Sequence, residues 1–247
     1  MHKYSSICDE FYVNMHLNTE MDLPQNRESV LHFFEQIQKR FPRMANFYTR
    51  DNGEFSLEEE KISGQYRWVA TEVKRVCSGA VNPELISEAV EQHRSVLELI
   101  PFELSISHLD CESLNLTFGF DYNYRGNHNE LIAEAMGVPP AFEKLTEITE
   151  AKLLGYEPVM QLALDDGCLT QCRIAFESRT SPFQVRSGEY GEEQISVYLT
   201  LRRFDSLKSS EKFSEEITRL AELGERLLDN YLVENVLQPL QKAITLK

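Results

Sequence analysis

Six polar side chains occupy corresponding places on two predicted strands, and two of the six are chemically reactive. The six are Asn14, His16 and Asn18 on the first strand and Thr117, Asp121 and Asn123 on the second. If these strands are neighbours, His16 and Asp121 approach each other, and the carboxylate raises the pKa of the imidazole and orients its ring. Such a pair supports general acid–base catalysis, so His16 and Asp121 are the candidate catalytic residues of a hydrolase-type enzyme.

A solvated strand face is the simpler interpretation of the same residues. Polar side chains on the wet face of an antiparallel sheet need no catalytic role. The sequence favours this interpretation over the acid–base pair. In that case Asn14, Asn18, Thr117 and Asn123 are candidates for holding a ligand on the wet face.

Cysteine chemistry has little support in the sequence. Cys168 and Cys172 are the only close pair, and their spacing on a predicted strand puts both sulfurs on the apolar face with Ile174 and Phe176. A free cysteine at such a place behaves as a small hydrophobe. A tetrahedral zinc site needs further thiolate or imidazole ligands at suitable spacing, so we predict no metal site.

The short motifs of nucleophilic and nucleotide chemistry are absent from the chain. It contains no Gly-x-Ser-x-Gly elbow. It also contains neither of the glycine-rich phosphate loops nor a His-Glu-x-x-His metalloprotease motif. We therefore predict no cofactor and favour a binding role over an enzymatic one.

The elements that position these residues begin with a strand and a helix. Apolar residues recur at every second position from Phe11 to Met21, which predicts a half-buried strand, and at helical spacing from Val30 to Phe41. The rest of the first half reads as two short strands joined at Asp51-Asn52-Gly53, a longer strand and a helix: 46–50, 54–58, 66–76 and 83–101.

The same order begins again in the second half. Alternation from Leu114 to Tyr124 predicts a strand. The helix that follows from Asn127 is interrupted at Gly137–Pro140 and resumes to about Lys152. The remaining elements are a hairpin across Asp165-Asp166-Gly167, a strand and a final helix: 159–164 with 168–176, 195–202 and 214–239.

The repeated order predicts an internal duplication, with one α+β unit at 1–103 and a second at 104–247 that together form one structural body. Clean alternation in the strands predicts a mainly antiparallel sheet with helices on one face. In element order this plan is similar to the duplicated, saddle-shaped sheet of TATA-binding proteins. The other face of the sheet is then free to bind a ligand or partner.

The composition indicates which classes of binding partner and which cellular compartment to expect. The 247 residues carry 40 acidic and 25 basic side chains, a net charge of −15 that repels nucleic acid and anionic membranes. Five scattered cysteines are typical of reduced thiols. The chain opens without an export signal and has no apolar run near the roughly 18 residues of a membrane span. We therefore predict a cytoplasmic protein.

Several stretches resemble a sporadically distributed family of bacterial proteins of about this length that has no established function. The resemblance lies in five stretches: Lys39–Pro42, Tyr122–Arg125, Asp165–Gly167, Ile195–Phe204, and the closing helix with Leu220, Leu227 and Tyr231. It implies a duplicated α+β architecture without a known reaction. The break at Gly137–Pro140 departs from the family pattern.

Three functions follow from the sequence in order of preference. The first is a non-enzymatic binding protein that uses the open sheet face, or the groove between the halves, to hold a protein partner or small molecule. The second is the acid–base enzyme with His16 and Asp121. The third is a homodimer that associates through the apolar stripe of the C-terminal helix, although core packing is the simpler explanation of that stripe.

Overall fold

The computed structural model describes residues 3–50, 53–61, 64–146 and 151–247. These residues form one antiparallel sheet of nine strands with helices packed on it. The strands are β1 (Glu10–Thr19), β2 (Asn46–Thr49), β3 (Phe55–Glu58), β4 (Tyr66–Glu72), β5 (Arg75–Val81), β6 (Cys111–Tyr124), β7 (Val159–Ala163), β8 (Thr170–Glu177) and β9 (Glu193–Phe204). The predicted α+β class is confirmed.

The helices follow or precede these strands in both halves. They are α1 (Arg27–Arg40), α2 (Ile86–Glu103), α3 (His128–Met136), α4 (Pro140–Thr146), α5 (Pro182–Ser187), α6 (Phe213–Leu227) and α7 (Gln238–Thr245). A π-helical segment, Leu228–Leu237, joins α6 to α7. Among the described residues, none of the helices is long and apolar enough to cross a membrane.

The strand order places the two halves side by side. It runs β2-β3-β4-β5-β1-β6-β9-β8-β7, so β1 and β6 pair at the centre. In each half the first strand lies at the centre and the last strand of that half lies next to it. The first half carries one additional strand, β2, at its outer edge. A duplication with a boundary near residue 103 and a saddle-like shape stay predictions.

Helices α2 and α6 cover the same face of the sheet. On β1 the side chains of Phe11, Val13, Met15 and Leu17 are buried in one continuous core. Each such burial contributes about 1.5–3 kcal/mol. Gly224 of α6 lies so close to the ring of Phe118 on β6 that a Cβ there would be 2.3 Å from it.

The apolar stripe of the last helix is used by this core. Ile217, Leu220 and Ala221 on α6 are buried. The sequence favoured this role, whereas a homodimer through the helix stays a prediction. Tyr231 in the π-helical segment is half exposed.

Several predicted boundaries differ from the structure, including the start of the second helix, which is Ile86 instead of Pro83. The single strand at 66–76 is two strands, β4 and β5, because the chain reverses at Val73-Lys74 without the glycine, proline or asparagine that usually marks a turn. Pro101 lies within the last turn of α2 instead of ending it. Pro239 lies in the first turn of α7, where its missing N–H is tolerated, so it does not end the helical run.

Other predicted elements lie only partly within the described residues. The turn at 51–53 and the helix after Gly137–Pro140 include residues 51–52 and 147–150, which the structure does not describe. Cys172 is buried as predicted. Cys168, however, is exposed in the β7–β8 turn with a φ of 55°, outside the strand, so the two sulfurs do not share a face.

Candidate functional site

The register of β1 against β6 separates the predicted catalytic pair. Asp121 lies opposite Glu10, whereas His16 lies opposite Asn115, six residues further along β1. At about 3.3 Å per residue this puts His16 and Asp121 roughly 20 Å apart, beyond hydrogen bonding even through one water. The expected His16–Asp121 pair therefore does not form. The physical reason is that antiparallel pairing sends corresponding positions of the two strands to opposite ends.

The other predicted polar residues also take separate places. Asn14 and Thr117 are direct cross-strand neighbours at the centre of the sheet. Thr117 contacts the Thr200 hydroxyl at 3.1 Å. Asn18 donates to the Ser113 hydroxyl at 2.9 Å near one end of β1. Asn123 is exposed near the end of β6. Only Asn14, His16 and Asp121 of the six line a common space.

That space is a cleft of about 430 Å³ on the face of the sheet away from α2 and α6. We call it the open-face cleft. Its described lining combines carboxylates, aromatic rings, two cationic side chains and a few other groups: Glu10, Glu54, Glu58, Glu72 and Asp121; Tyr12, Tyr66 and Trp68; Arg50 and Lys61; Asn14, His16, Cys77 and Val81. Within this lining five carboxylates outnumber two cations. Arg75 and Arg202 act on His16, and Arg179 acts on Asp121, from outside the lining.

Two glycines let aromatic rings lie close against the strands on the floor of the cleft. Gly79 on β5 is opposite both Trp68 and Asn14, and Gly119 on β6 is opposite Tyr12. A Cβ at Gly79 would lie 2.2 Å from Trp68 Nε1, and one at Gly119 would lie 2.1 Å from the Tyr12 ring. Glycine inside a strand often marks such a close approach. The rings occupy the space that side chains at these two positions would fill.

Helix α2 supports this floor from the buried side. Gln92 Nε2 lies 3.0 Å from the Gly79 carbonyl oxygen and 2.9 Å from the Ser78 hydroxyl. His93 Nδ1 contacts the same hydroxyl at 3.0 Å. Both side chains are fully buried. These contacts tie the strand that carries Gly79 to the helix beneath it, so the floor is held in place.

The deep acidic group of the cleft is the cross-strand pair Glu10 and Asp121. Burial raises the pKa of Glu10 and the charge of Asp121 raises it further, whereas the charge of Lys61 lowers it. Burial also raises the pKa of Asp121, against the lowering effects of the Ser196 hydrogen bond, the Arg179 charge and the Tyr12 hydrogen bond. The Tyr12 hydroxyl donates to Asp121 at 3.4 Å. Two carboxylates held side by side disfavour each other, and a positive charge between them would relieve that repulsion.

The opposite wall is closer to neutral because its carboxylates have cationic neighbours. Arg50 forms an ion pair with Glu54 at 2.9 Å. Lys61 lies 3.6 Å from Glu58 and 4.8 Å from the centre of the Tyr66 ring. The ammonium group over Tyr66 is itself an example of the cation–π contact that the cleft can make.

His16 lies at the other end of the cleft as a neutral imidazole. Burial and the charges of Arg75 and Arg202 lower its pKa to about 4. This is opposite to the expected raising of its pKa by Asp121. Because the ring is uncharged at neutral pH, it contributes a polar edge and no positive charge to the cleft.

Binding of a positively charged group is the chemistry that this arrangement favours. Aromatic faces and carboxylates both attract cations. In the described part of the chain, no group of three or more histidine, cysteine, aspartate or glutamate side chains is placed to hold a metal ion.

Sequence reasoning missed Glu10, Tyr12 and Trp68 as site residues. Glu10 and Tyr12 alternate with core residues as any wet strand face does, so their types alone carry no signal. Gly119 inside the cleanest predicted strand was the usable signal, since an interior glycine indicates that something lies against the backbone.

Neither the protein-family models nor the curated proteins that were searched match this sequence. The resemblance to a bacterial family therefore stays a prediction.

Proposed function

We propose that this chain is a binding protein whose open-face cleft holds a small organic cation. The observation that carries this proposal is the aromatic floor of Tyr12 and Trp68 beside the Glu10–Asp121 pair. A cation over an aromatic face gains about 0.5–2 kcal/mol, more where water is excluded. The carboxylate pair adds a direct charge contact at the same end.

Size and charge support a free small molecule over a macromolecule. The volume of about 430 Å³ lies within the roughly 300–1,000 Å³ of small-molecule sites. The net charge of −15 attracts cations from a distance and repels anions. A lysine or arginine side chain of a partner protein has the same charge, and the experiment below separates the two sources.

The affinity of the cleft for a cation should increase with pH. The pKa values of Glu10 and Asp121 are raised, so part of their charge is missing in mild acid. Protonation removes the attraction for a cation. We therefore expect binding to weaken as the pH falls through the raised pKa values of the two carboxyls, and to reach a plateau above them.

Titration calorimetry with matched pairs of ligands tests the proposal. Butane-1,4-diamine and choline are the cations, and butane-1,4-diol and 3,3-dimethylbutan-1-ol are their neutral isosteres. We expect saturable binding of at least one cation and none of its isostere. Asp121→Asn should weaken that binding about tenfold, which corresponds to about 1.4 kcal/mol.

Glu222→Gln is the matched control because Glu222 is exposed on α6, outside the cleft. It should bind as the unchanged protein does. Equal binding of cations and isosteres, or no binding of either, would contradict the proposal. Weak binding of the free cations but firm binding of lysine-containing peptides would assign the cleft to a protein partner.

An acid–base enzyme is the second candidate, now with Glu10 and Asp121 instead of His16. Two adjacent carboxyls with raised pKa values are typical of sites where one acts as acid and the other as base. Purified protein assayed on simple esters and phosphoesters would then turn over one of them. Both Glu10→Gln and Asp121→Asn should abolish that turnover, whereas His16→Gln should leave it; activity that depends on His16 alone would contradict this assignment.

A further inference from the structure

Strand β7 leaves one edge of the sheet uncovered. Among the described residues no strand pairs with its outer side. All its residues are exposed, including Val159, Met160 and Leu162 at 51%, 59% and 52%. Natural sheets usually protect such an edge with charges, proline or a covering segment, because free backbone groups recruit another strand.

The backbone pattern identifies which groups point outward. Leu164 N donates to Thr170 O, and Phe176 N donates to Pro158 O, so residues 158 and 164 turn their backbone toward β8. By alternation, Val159, Gln161 and Ala163 present their N–H and C=O groups to the free side. Pro158 does not block that side, since its own backbone faces β8.

The other half of the sheet indicates what covers such an edge. In strand order from the centre, β3 has the place that β7 has in the second half, and β3 is covered by the antiparallel strand β2. That covering strand has only four residues, from Asn46 to Thr49. A short antiparallel strand is therefore sufficient to complete an edge of this sheet.

The sequence of β7 is nearly symmetric about its middle residue. In an antiparallel pair of two β7 strands centred on Gln161, Val159 lies opposite Ala163 and Met160 lies opposite Leu162 of the other copy. Every outward N–H and C=O group then meets a partner. A two-fold axis at Gln161 closes the contact, so the assembly stops at two copies.

Charge also favours a second copy at this edge. The chain carries a net charge of −15, and residues 158–164 contain no charged side chain. Two copies therefore repel least where β7 meets β7. Glu157 and Asp165 flank the pair and face each other across it, so salt should strengthen the association by screening them.

We infer that two copies of this chain associate through antiparallel pairing of their β7 strands, which continues the sheet from one copy into the other. The contact is smaller than the roughly 800 Å² per partner of a standard interface, so the dimer forms at high protein concentration. This inference is independent of the ligand that the open-face cleft holds.

Sedimentation velocity from about 5 to 200 µM tests the association, a range that brackets weak protein interfaces. We expect a monomer–dimer equilibrium that shifts toward dimer with added salt. Leu162→Lys should shift the midpoint at least tenfold upward. Phe102→Lys is the matched control, because Phe102 is an equally apolar side chain, 83% exposed, on α2 away from β7. Thermal unfolding of both variants checks that they fold.

Cross-linking tests the register. In a hydrogen-bonded antiparallel pair the Cα atoms are about 5.5 Å apart, which a disulfide can bridge. Gln161→Cys in a Cys168→Ser background should therefore form an oxidised dimer, and Cys168→Ser alone should not, since the other four cysteines are buried. Three results would overturn the inference. The first is a monomer at all concentrations, and the second is growth beyond two copies. The third is a dimer that is lost in Phe102→Lys or Tyr231→Lys but kept in Leu162→Lys.

Discussion

The two halves of the sheet share a strand plan and differ in what their open faces carry. The cleft of about 430 Å³, with its aromatic floor and excess of carboxylates, lies mainly on the open face of the first half, and β6 of the second half contributes Asp121 to it. The open face of the second half has a small space of about 30 Å³, and its lining is amide, hydroxyl and guanidinium: Gln161, Gln171, Arg173, Thr200 and Arg202.

One row of paired residues across the sheet shows this difference between the two open faces. From the first half to the second it runs through Trp68, Gly79, Asn14, Thr117, Thr200 and Arg173. In the first half Gly79 lets the Trp68 ring lie close against the strand, whereas the second half has threonine, threonine and arginine side chains along the same row. The two halves therefore share a strand plan, and the function of each open face depends on the side chains that it carries.

The two halves also differ at their edges. The first half ends in the covering strand β2, whose Phe47 packs on Phe34 of α1 with ring centres 5.3 Å apart. The second half ends in the bare strand β7. The half that carries most of the cleft has its edge completed from within the chain, and the other half is the one that we expect to pair with a second copy.

Adding a side chain at Gly119 should produce the largest effect. Gly119→Val puts a branched side chain where the Tyr12 ring lies and should cost about 2–3 kcal/mol of unfolding free energy, because the floor is overpacked. It should also abolish cation binding. Urea unfolding and calorimetry measure the two effects.

The matched control for that change is Gly155→Ala, where a Cβ would meet nothing within 4 Å. It should leave the free energy of unfolding nearly unchanged. If Gly119→Val were as harmless, the ring and the glycine would not depend on each other, and the contrast between the two open faces would need another cause.

Lowering the pH should decrease the free energy of unfolding through the protonation of His16. Its folded-state pKa of about 4 is below the ordinary value of 6.5, so the unfolded chain takes up the proton first as the pH falls. The stabilisation from neutral His16 is complete above pH 6.5 and is lost progressively toward pH 4.

We therefore expect His16→Gln to lose less stability than the unchanged protein between pH 7 and 4.5, by about 1–2 kcal/mol. Denaturant unfolding at both pH values measures this difference. Equal losses in the two proteins would mean that His16 is protonated as readily in the folded chain as in the unfolded one.

Removing one charge of the carboxylate pair should change the free energy of unfolding least. This change should stabilise the protein, whereas Gly119→Val should destabilise it. Asp121→Asn relieves the repulsion of Glu10 and should raise the unfolding free energy at neutral pH by about 0.2–1 kcal/mol. The gain should shrink in acid, where the carboxyls are protonated. A loss of stability at pH 7 would instead show that the Tyr12 and Ser196 contacts of Asp121 outweigh the repulsion.

Much of the fold was predictable because it depends on local periodicity. The strand at Glu10–Thr19, the long strand β6 and the β7–β8 hairpin follow from apolar alternation and turn residues. The β4–β5 turn was missed because Val73-Lys74 carries no turn signal. The site was largely not predictable, since polar types on a wet face look alike whether or not they line a cleft.

By itself, the sequence determined the α+β class, the wet and buried faces of the strands and the acidic character of the surface, because these depend on residue type and local spacing. Only the tertiary structure decided which polar residues meet. Antiparallel pairing reverses one strand against the other, so Asp121 lies beside Glu10 while His16 lies at the far end. Contacts between residues more than 100 positions apart depend on this register, which no local pattern specifies.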